Sequence, residues 1–252
     1  MILWIFLFLL VLVIIFLILF FNRVSICFSS PREIYNYIET NHDFYKRFSE
    51  ADFKARNIET IEEYLDKIKP EISCFTFFEK LKILYCIYCA DDRIRQIHFN
   101  WYQGEKASKI PWKIGCLDGK TYEEGLPHTI KDMIILYRHD INNSIEELTN
   151  LLIHENVHLY QKKYPDDTLL YLSQNGVSFY KKIKESDSAA NPDTDNNIYE
   201  DHSKIYKSEY KSSNPSSIND IKNNIHEEHP LEKMAYDIQN IQNIQNIQNI
   251  TP

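Results

Sequence analysis

The sequence lacks the cysteine spacing of a disulfide-stabilised domain. It has five cysteines, an odd number, and they do not recur at framework spacing. We therefore expect reduced thiols, most of them buried. Cys86 and Cys89 form a C-x-x-C pair, but it lies in the apolar run LKILYCIYCA without a second pair. Structural burial is favoured there over a redox or zinc site.

The chain also lacks an excess of positive charge. Its formal net charge is −8 at pH 7, and it contains no basic stripe that could neutralise phosphate groups. We therefore expect no nucleic-acid partner.

The N-terminus lacks the features of a cleaved signal peptide. No basic residue precedes the twenty apolar residues from Ile2 to Phe21, and no clear cleavage site follows them. A helix of this length can cross about 30 Å of hydrocarbon. The run therefore predicts an uncleaved transmembrane anchor and a single-pass membrane protein. Arg23 and Arg32 follow the run, which weakly favours a cytoplasmic body.

The most informative stretch is TNLLIHENVHLY, residues 149–160, which contains the order His-Glu-x-x-His. On an α-helix His154 and His158 lie one above the other, so both imidazoles can bind a single Zn²⁺. Glu155 lies about 100° further round the helix. It can act there as the general base that takes a proton from water activated by the metal. This is the signature of the zincin metallopeptidases.

The context of the motif is helical. Ser144 followed by Glu147 predicts a capping box, and apolar residues after it predict a buried face. In the alternative interpretation the helix is half-buried, its two histidines have ordinary structural roles, Glu155 lies in water and the protein is purely structural. That alternative would be favoured if the candidate third ligand lay far from the histidines.

Apolar periodicity predicts an α+β fold that is mostly helical. Two helices are expected, from Ile58 to Lys69 and from Phe75 to about Phe99, separated at Pro70. Met133 to Tyr137, MIILY, is the strongest strand pattern in the sequence. In zincins the edge strand along the substrate cleft occupies this position just before the active helix. Such an edge could bind a peptide as an additional strand.

Five runs of sequence together resemble a family of largely uncharacterised zinc-metallopeptidase-like proteins found in large DNA viruses and some microbes. They are GLPHT (125–129), LIHENVHLYQKKYP (152–165), NPDTDNNIY (191–199), SSNPSSINDI (212–221) and EHPLEKMAY (228–236). The resemblance implies a gluzincin-like domain, in which the third zinc ligand is a glutamate on a downstream helix. For a viral protein, the membrane would be that of the host or the virion. The resemblance implies no particular substrate.

Glu232 matches the third ligand of this family. Pro230 is expected in the first turn of a new helix, where its missing N–H is tolerated, and apolar residues after it give that helix a buried side. The chain departs from the common gluzincin pattern four residues after Glu232. Tyr236 stands where an aspartate would orient a zinc histidine, and Asp237 follows one residue later.

Other histidines compete for the site. A metzincin site needs a third histidine at position 164, and Tyr164 excludes it. His226 and His229 flank the Glu232 helix, and His202 lies in an acidic loop. His128, in LPHT, is either a loop histidine with one hydrogen bond or a donor to the oxyanion of a tetrahedral intermediate, and we include it as a candidate catalytic residue.

Two later segments are low in apolar residues or repetitive. Residues 186–217 are rich in Ser, Asn, Asp and Lys and are expected to form a long loop. Asp193, Asp195 and Asn197 alternate as in a calcium loop, but Ile198 and Lys204 stand where glycine and glutamate are required, so a turn network is favoured. The repeat IQNIQNIQNIQNI, residues 238–250, is low-complexity sequence without an assigned function.

These patterns divide the chain into a transmembrane anchor (1–22), a juxtamembrane segment (23–57), a zincin-like domain (58–240) with a small sheet next to the active helix, and a low-complexity tail (241–252). The expected function is that of a membrane-anchored zinc metallopeptidase acting on a peptide or protein. The alternative is a catalytically inactive, zinc-stabilised membrane protein with a structural or interaction role. An open cleft beside Glu155 would distinguish the two.

Overall fold

A computed structural model describes most of the chain after the apolar N-terminal run. The described residues are 4, 24–182, 188–195, 197–202, 204–222 and 229–248. About half of them are helical, and the strands form small sheets. The fold is therefore α+β as predicted, although less helical than expected.

The element bounds within the described residues are as follows. The helices are α1 (Pro31–Glu39), α2 (His42–Tyr45), α3 (Glu50–Ala55), α4 (Ile61–Ile68), α5 (Phe77–Arg95), α6 (Gly104–Ala107), α7 (Ile145–Lys163), α8 (Pro165–Gln174) and α9 (Pro230–Gln248). The strands are β1 (Ile26–Phe28), β2 (Ile72–Ser73), β3 (His98–Phe99), β4 (Tyr102–Gln103), β5 (Trp112–Leu117), β6 (His128–Ile130), β7 (Met133–Tyr137), β8 (Ser178–Lys182), β9 (Asn197–Glu200) and β10 (Ile205–Tyr206). Short 3₁₀ turns occur at Lys69–Glu71, Tyr122–Gly125 and Arg138–Asn142.

The main sheet has the strand order β1-β5-β7-β6, with β2 also paired to β5. Strands β1, β5 and β7 are parallel, whereas β6 is antiparallel to β7. All five residues of β7 are buried, which suits an almost continuously apolar strand covered on both faces.

The two faces of the main sheet build two cores. Ile134 and Leu136 of β7 pack with α5, α7 and α9, whereas Met133, Ile135 and Tyr137 pack with α1 and α4. This alternation follows from the two-residue period of a strand. Each fully buried aliphatic side chain contributes roughly 1.5–3 kcal/mol, so both faces stabilise the position of β7.

Residues 24–57 belong to the same fold as the rest of the described chain. Ile26 and Phe28 of β1 pair with Trp112 and Ile114 of β5. Ile34 and Ile38 of α1 are fully buried in the second core. The boundary predicted after residue 57 therefore does not separate two packing units.

The membrane-anchor prediction is corrected by the structure. Among the described residues no helix is long and apolar enough to cross a membrane. The longest helices, α5, α7 and α9, carry charged side chains within their apolar pattern. Residues 2–21, the basis of the predicted transmembrane helix, lie outside the described residues apart from Trp4.

The predicted elements before the zinc motif are present with shifted ends. Strand β7 has the predicted bounds. Helices α4 and α5 fall within the two predicted helices and begin later, because Thr60 and Thr76 cap them by accepting hydrogen bonds from Glu63 N and Glu79 N.

The cysteine prediction is partly wrong. All five thiols are free, and Cys86 and Cys116 are buried, but Cys27 and Cys74 are exposed. Burial raises the pKa of the Cys116 thiol to about 12, which makes it unreactive at neutral pH.

Candidate metal centre

Helix α7 positions the motif histidines and Glu155 inside the protein. It begins with the predicted capping box, in which Ser144 Oγ accepts from Glu147 N and the Glu147 carboxylate accepts from Ser144 N. His158 is fully buried and Glu155 is 2 % exposed, because α7 packs between α5 and α9. The alternative that placed Glu155 in water is therefore wrong.

Helix α9 brings Glu232 to the same place. It begins at Pro230 as predicted, and Met234, Ala235 and Ile238 are fully buried in the core that contains α7. Glu232 lies in the first turn of α9, where the helix dipole favours a carboxylate. A residue 74 positions beyond His158 in sequence (232 − 158 = 74) is thus its neighbour in space.

Three acceptor atoms converge between α7 and α9. Nε2 of His154 lies 3.1 Å from Nε2 of His158. Oε2 of Glu232 lies 3.3 Å from the first nitrogen and 3.5 Å from the second. A tetrahedral zinc ion with bonds of about 2.0–2.1 Å separates its ligand atoms by about 3.3 Å. The triangle therefore has the dimensions that one zinc ion requires of three ligands.

Gln161 determines the tautomer of His158. Its Nε2 donates to the carbonyl oxygen of Leu231 at 2.8 Å, which orients the amide. Its Oε1 then lies 3.0 Å from Nδ1 of His158 and accepts the proton on that nitrogen. The lone pair of His158 Nε2 is left for a metal.

Gln239 makes the equivalent contact with His154. Its Oε1 lies 3.1 Å from His154 Nδ1. The Tyr236 ring packs edge-on against the His154 ring, with ring centroids 4.6 Å apart. Asp237 points elsewhere, accepting from Tyr171 and Lys233. Among the described residues, glutamine amides rather than an aspartate thus contact the Nδ1 atoms of both histidines. Gln239 belongs to the IQN repeat, to which the sequence assigned no role.

Asn191 orients the carboxylate of Glu232. Its Nδ2 donates to Glu232 Oε1 at 2.9 Å, and its Oδ1 accepts from Asp193 N at 2.8 Å. Asp195 in turn accepts from the backbone N–H of Asn197. The predicted turn network in this loop is therefore confirmed, and it holds one oxygen of Glu232 so that the other faces the histidines.

Two arginines fix the loop 188–195, which carries Asn191. Arg47 donates to the carbonyl oxygens of Thr194 at 2.6 Å and Asn191 at 3.0 Å. Arg56 donates to Ala190 O at 3.2 Å, while Ala190 N donates to Asp52 Oδ1 at 3.0 Å. The segment 23–57, predicted to be juxtamembrane, therefore supports the candidate metal site.

Arg56 is held by two buried carboxylates. It lies 2.9 Å from Asp52 and 2.6 Å from Glu123, and all three side chains are at most 3 % exposed. Glu123 adopts a left-handed conformation with φ of 45°, which is unfavourable for a residue with a Cβ. Tyr64 OH also donates to Glu123 at 2.8 Å. These contacts hold the strained turn in place.

Glu155 faces a cavity of about 450 Å³ that also borders His154 and Glu232. Its Oε2 is buried and has no hydrogen-bond partner among the described residues. Burial raises the pKa of Glu155 well above its usual range, Asp193 adds to the rise, and His158 opposes it. A raised pKa makes the ionised carboxylate of Glu155 a stronger base than an exposed glutamate.

His128 borders the same cavity, but its tautomer does not suit the predicted role. Nδ1 lies 2.8 Å from the carbonyl oxygen of Leu126, so Nδ1 carries the proton. Burial lowers the pKa of His128, with Asp193 opposing, which favours the neutral ring. Nε2 is then a buried acceptor without a partner among the described residues, and it cannot donate to an oxyanion.

The remaining histidines lie away from the triangle or outside the described residues. Nδ1 of His229 accepts from Leu231 N at 3.3 Å at the start of α9, and Nε2 lies 3.2 Å from Asp195 Oδ1. His202 is exposed. His226 lies outside the described residues.

The edge strand next to α7 is β6. Strand β7 lies between β5 and β6, so the prediction that Met133–Tyr137 forms the edge is wrong. Thr129, in the middle of β6, donates its N–H to Asp193 Oδ1 at 2.7 Å, and its carbonyl accepts from Lys162 Nζ at 2.9 Å. Side chains therefore occupy the backbone groups that a peptide would use to extend the sheet at Thr129.

Several residues of the site were missed by the sequence analysis. Gln161 and Asn191 lie within the runs that carry the family resemblance, which was their only signal, and Asp193 was noted only for its place in the calcium-like alternation. Comparison with known proteins found no matching family model, no matching curated protein and no matching solved structure. Function is therefore inferred from the geometry of the site.

Proposed function

We propose that the protein is a zinc-dependent hydrolase of peptide bonds, with His154, His158 and Glu232 as zinc ligands and Glu155 as the general base. The observation that carries the proposal is the triangle of acceptor atoms, with sides of 3.1, 3.3 and 3.5 Å. Because both Nδ1 atoms face amide oxygens, neutral imidazoles would offer the lone pairs of both Nε2 atoms to a cation beside the Glu232 carboxylate. A bound cation would join all three atoms.

The donor set favours zinc over calcium or magnesium. Those cations take about six or more oxygen ligands, whereas two imidazoles and one carboxylate are a common catalytic zinc set. The supporting amides of Gln161 and Gln239 orient the imidazoles in the way that zinc histidines require.

Glu155 supplies the proton transfers. When bound, zinc polarises the substrate carbonyl and lowers the pKa of water. Glu155 accepts the proton of the attacking water and delivers it to the leaving amine, and its place on the cavity wall beside His154 and Glu232 suits both steps. Protein packing limits water access to Glu155 from every side except the cavity.

The cavity favours hydrolysis over a purely structural metal site. A metal that only joined α7 to α9 would need neither a space of about 450 Å³ beside the ligands nor a buried carboxylate oxygen without a partner. Both features lie at Glu155, and both are expected where a substrate binds.

The test uses the full chain and three variants. We expect one zinc per chain by elemental analysis and hydrolysis of a mixture of fluorogenic di- and tripeptides. Glu155→Gln should keep zinc and lose about 10²–10⁴ in rate, whereas Glu232→Ala should lose the metal. Glu146→Gln, on the exposed side of α7, should retain both properties. Absence of zinc in the parent protein, or full activity in Glu155→Gln, would overturn the proposal.

A further inference from the structure

The arrangement around β6 restricts what the cavity can bind. An extended peptide that added to β6 would have to displace both Asp193 and Lys162 from Thr129. Asp193 is 8 % exposed and receives two hydrogen bonds from Thr129, one from N–H at 2.7 Å and one from Oγ1 at 2.6 Å. Because Arg47 and Arg56 hold the loop that carries Asp193, such displacement would also break their contacts.

Two acceptors beside β6 remain available to a ligand. Asp193 binds Thr129 through Oδ1, and no described residue donates a hydrogen bond to its Oδ2. His128 presents Nε2 as a buried acceptor without a described partner. Both residues border the cavity that contains Glu155. Each of these acceptors would gain from a donor, and a cationic donor would be the strongest.

The charge of the cavity wall also favours a cationic ligand. Its described lining contains five carboxylates, at Glu123, Glu147, Glu155, Asp193 and Glu232, and no lysine or arginine. Arg56 neutralises Glu123, Lys162 Nζ lies 3.7 Å from Asp193 Oδ1 behind the wall, and zinc would offset part of the remainder. No described cation is placed in this wall to bind a free carboxylate terminus.

We propose that the site takes short peptides that carry an ammonium group, and that Asp193 Oδ2 and His128 Nε2 bind that group in the cavity. This inference rests on the proposed function, since it assigns a substrate class to the same site. An ammonium group has three N–H donors, enough for both acceptors. The group can be the α-amine of a peptide or the side chain of a lysine.

Binding is measured by calorimetry on the zinc-loaded full chain carrying Glu155→Gln, so that no ligand is consumed. The probes are alanyl-alaninamide, its N-acetylated form, and N-acetyl-lysinamide. We expect at least about tenfold tighter binding of alanyl-alaninamide than of the acetylated form, the effect of one charged hydrogen bond. Tight binding of N-acetyl-lysinamide alone would instead identify a lysine side chain as the source of the ammonium group.

The Asp193→Asn variant tests whether Asp193 binds the ammonium group. Asparagine Oδ1 can still accept from Thr129, so the loop is retained while the charge is lost, and discrimination between the free and acetylated probes should disappear. Glu147→Gln is the matched control, because it neutralises another carboxylate of the cavity wall and glutamine also serves in a capping box. It should keep the discrimination.

Equal binding of all three probes, absence of binding, or unchanged discrimination in Asp193→Asn would overturn the inference. These outcomes leave the proposed function intact if zinc content and hydrolysis by the parent protein are as expected. If the parent protein binds no zinc or hydrolyses no peptide, that separate result overturns the proposed function instead.

Discussion

Gln161 joins the two helices that carry the proposed metal ligands, because it lies 3.0 Å from Nδ1 of His158 and donates to Leu231 O, next to Glu232. One amide therefore sets both the tautomer of a ligand and the position of the opposite helix. Catalytic zinc sites depend strongly on such contacts.

Replacing Gln161 by leucine should lower zinc affinity by about 10–100-fold, since the His158 proton is no longer directed to Nδ1. Competition with a chromophoric chelator measures the affinity. Gln174→Leu, an exposed glutamine near the end of α8, is the control and should leave the affinity unchanged. Equal affinities for all three proteins would contradict the role given to Gln161.

Asn191→Ala should also weaken zinc binding by about 10–100-fold, because Glu232 loses the hydrogen bond that directs its second oxygen to the metal. Asn191→Asp should weaken it further by placing a carboxylate against a carboxylate. Asn150→Ala, at another wall of the cavity, should have little effect. A ranking in which the aspartate variant binds zinc best would exclude the orienting role.

Zinc should stabilise the folded protein. At 100 times its dissociation constant, a ligand that binds only the native state adds about 2.7 kcal/mol, or roughly 5–10 °C in Tm for a domain of this size. His158→Ala should abolish the response of Tm to zinc, and His202→Ala, an exposed histidine, should keep it. A response that survives in His158→Ala would place the metal elsewhere.

Arg56→Met should destabilise the fold by about 3–5 kcal/mol in urea denaturation, because Asp52 and Glu123 are left buried without their counter-ion. Arg93→Met removes an ion pair with the half-exposed Glu146 and should cost about 0–1 kcal/mol. If the two variants lost similar stability, the buried network would not be the support that the loop 188–195 requires.

Local patterns in the sequence predicted the elements that carry the ligands. The capping box at Ser144, the His-Glu-x-x-His spacing and Pro230 each depend on residues within a few positions of one another, so they are visible without the fold. The strand Met133–Tyr137 was found for the same reason. The position of this strand between two other strands could not be predicted, since strand order depends on pairing between distant segments.

The supporting contacts could not be predicted in the same way. Asn191 reaches Glu232 across 41 positions and Gln239 reaches His154 across 85. A single side-chain hydrogen bond between distant segments leaves no periodic signal in either one. The tautomer of His128 is set by a carbonyl two residues away, but whether its other nitrogen finds a donor depends on the cavity, which forms only in the folded chain.

The wide spacing of these residues has a consequence for synthesis. Domains are made from the N-terminus onward, and a nascent chain that ends after His158 holds two imidazoles but neither Glu232 nor the amides of Asn191 and Gln239. The proposed zinc site is therefore complete only after α9 has docked. A chain that ends before that helix keeps both imidazoles but lacks the proposed carboxylate ligand and the amide beside His154, so it should bind zinc more weakly than the full chain.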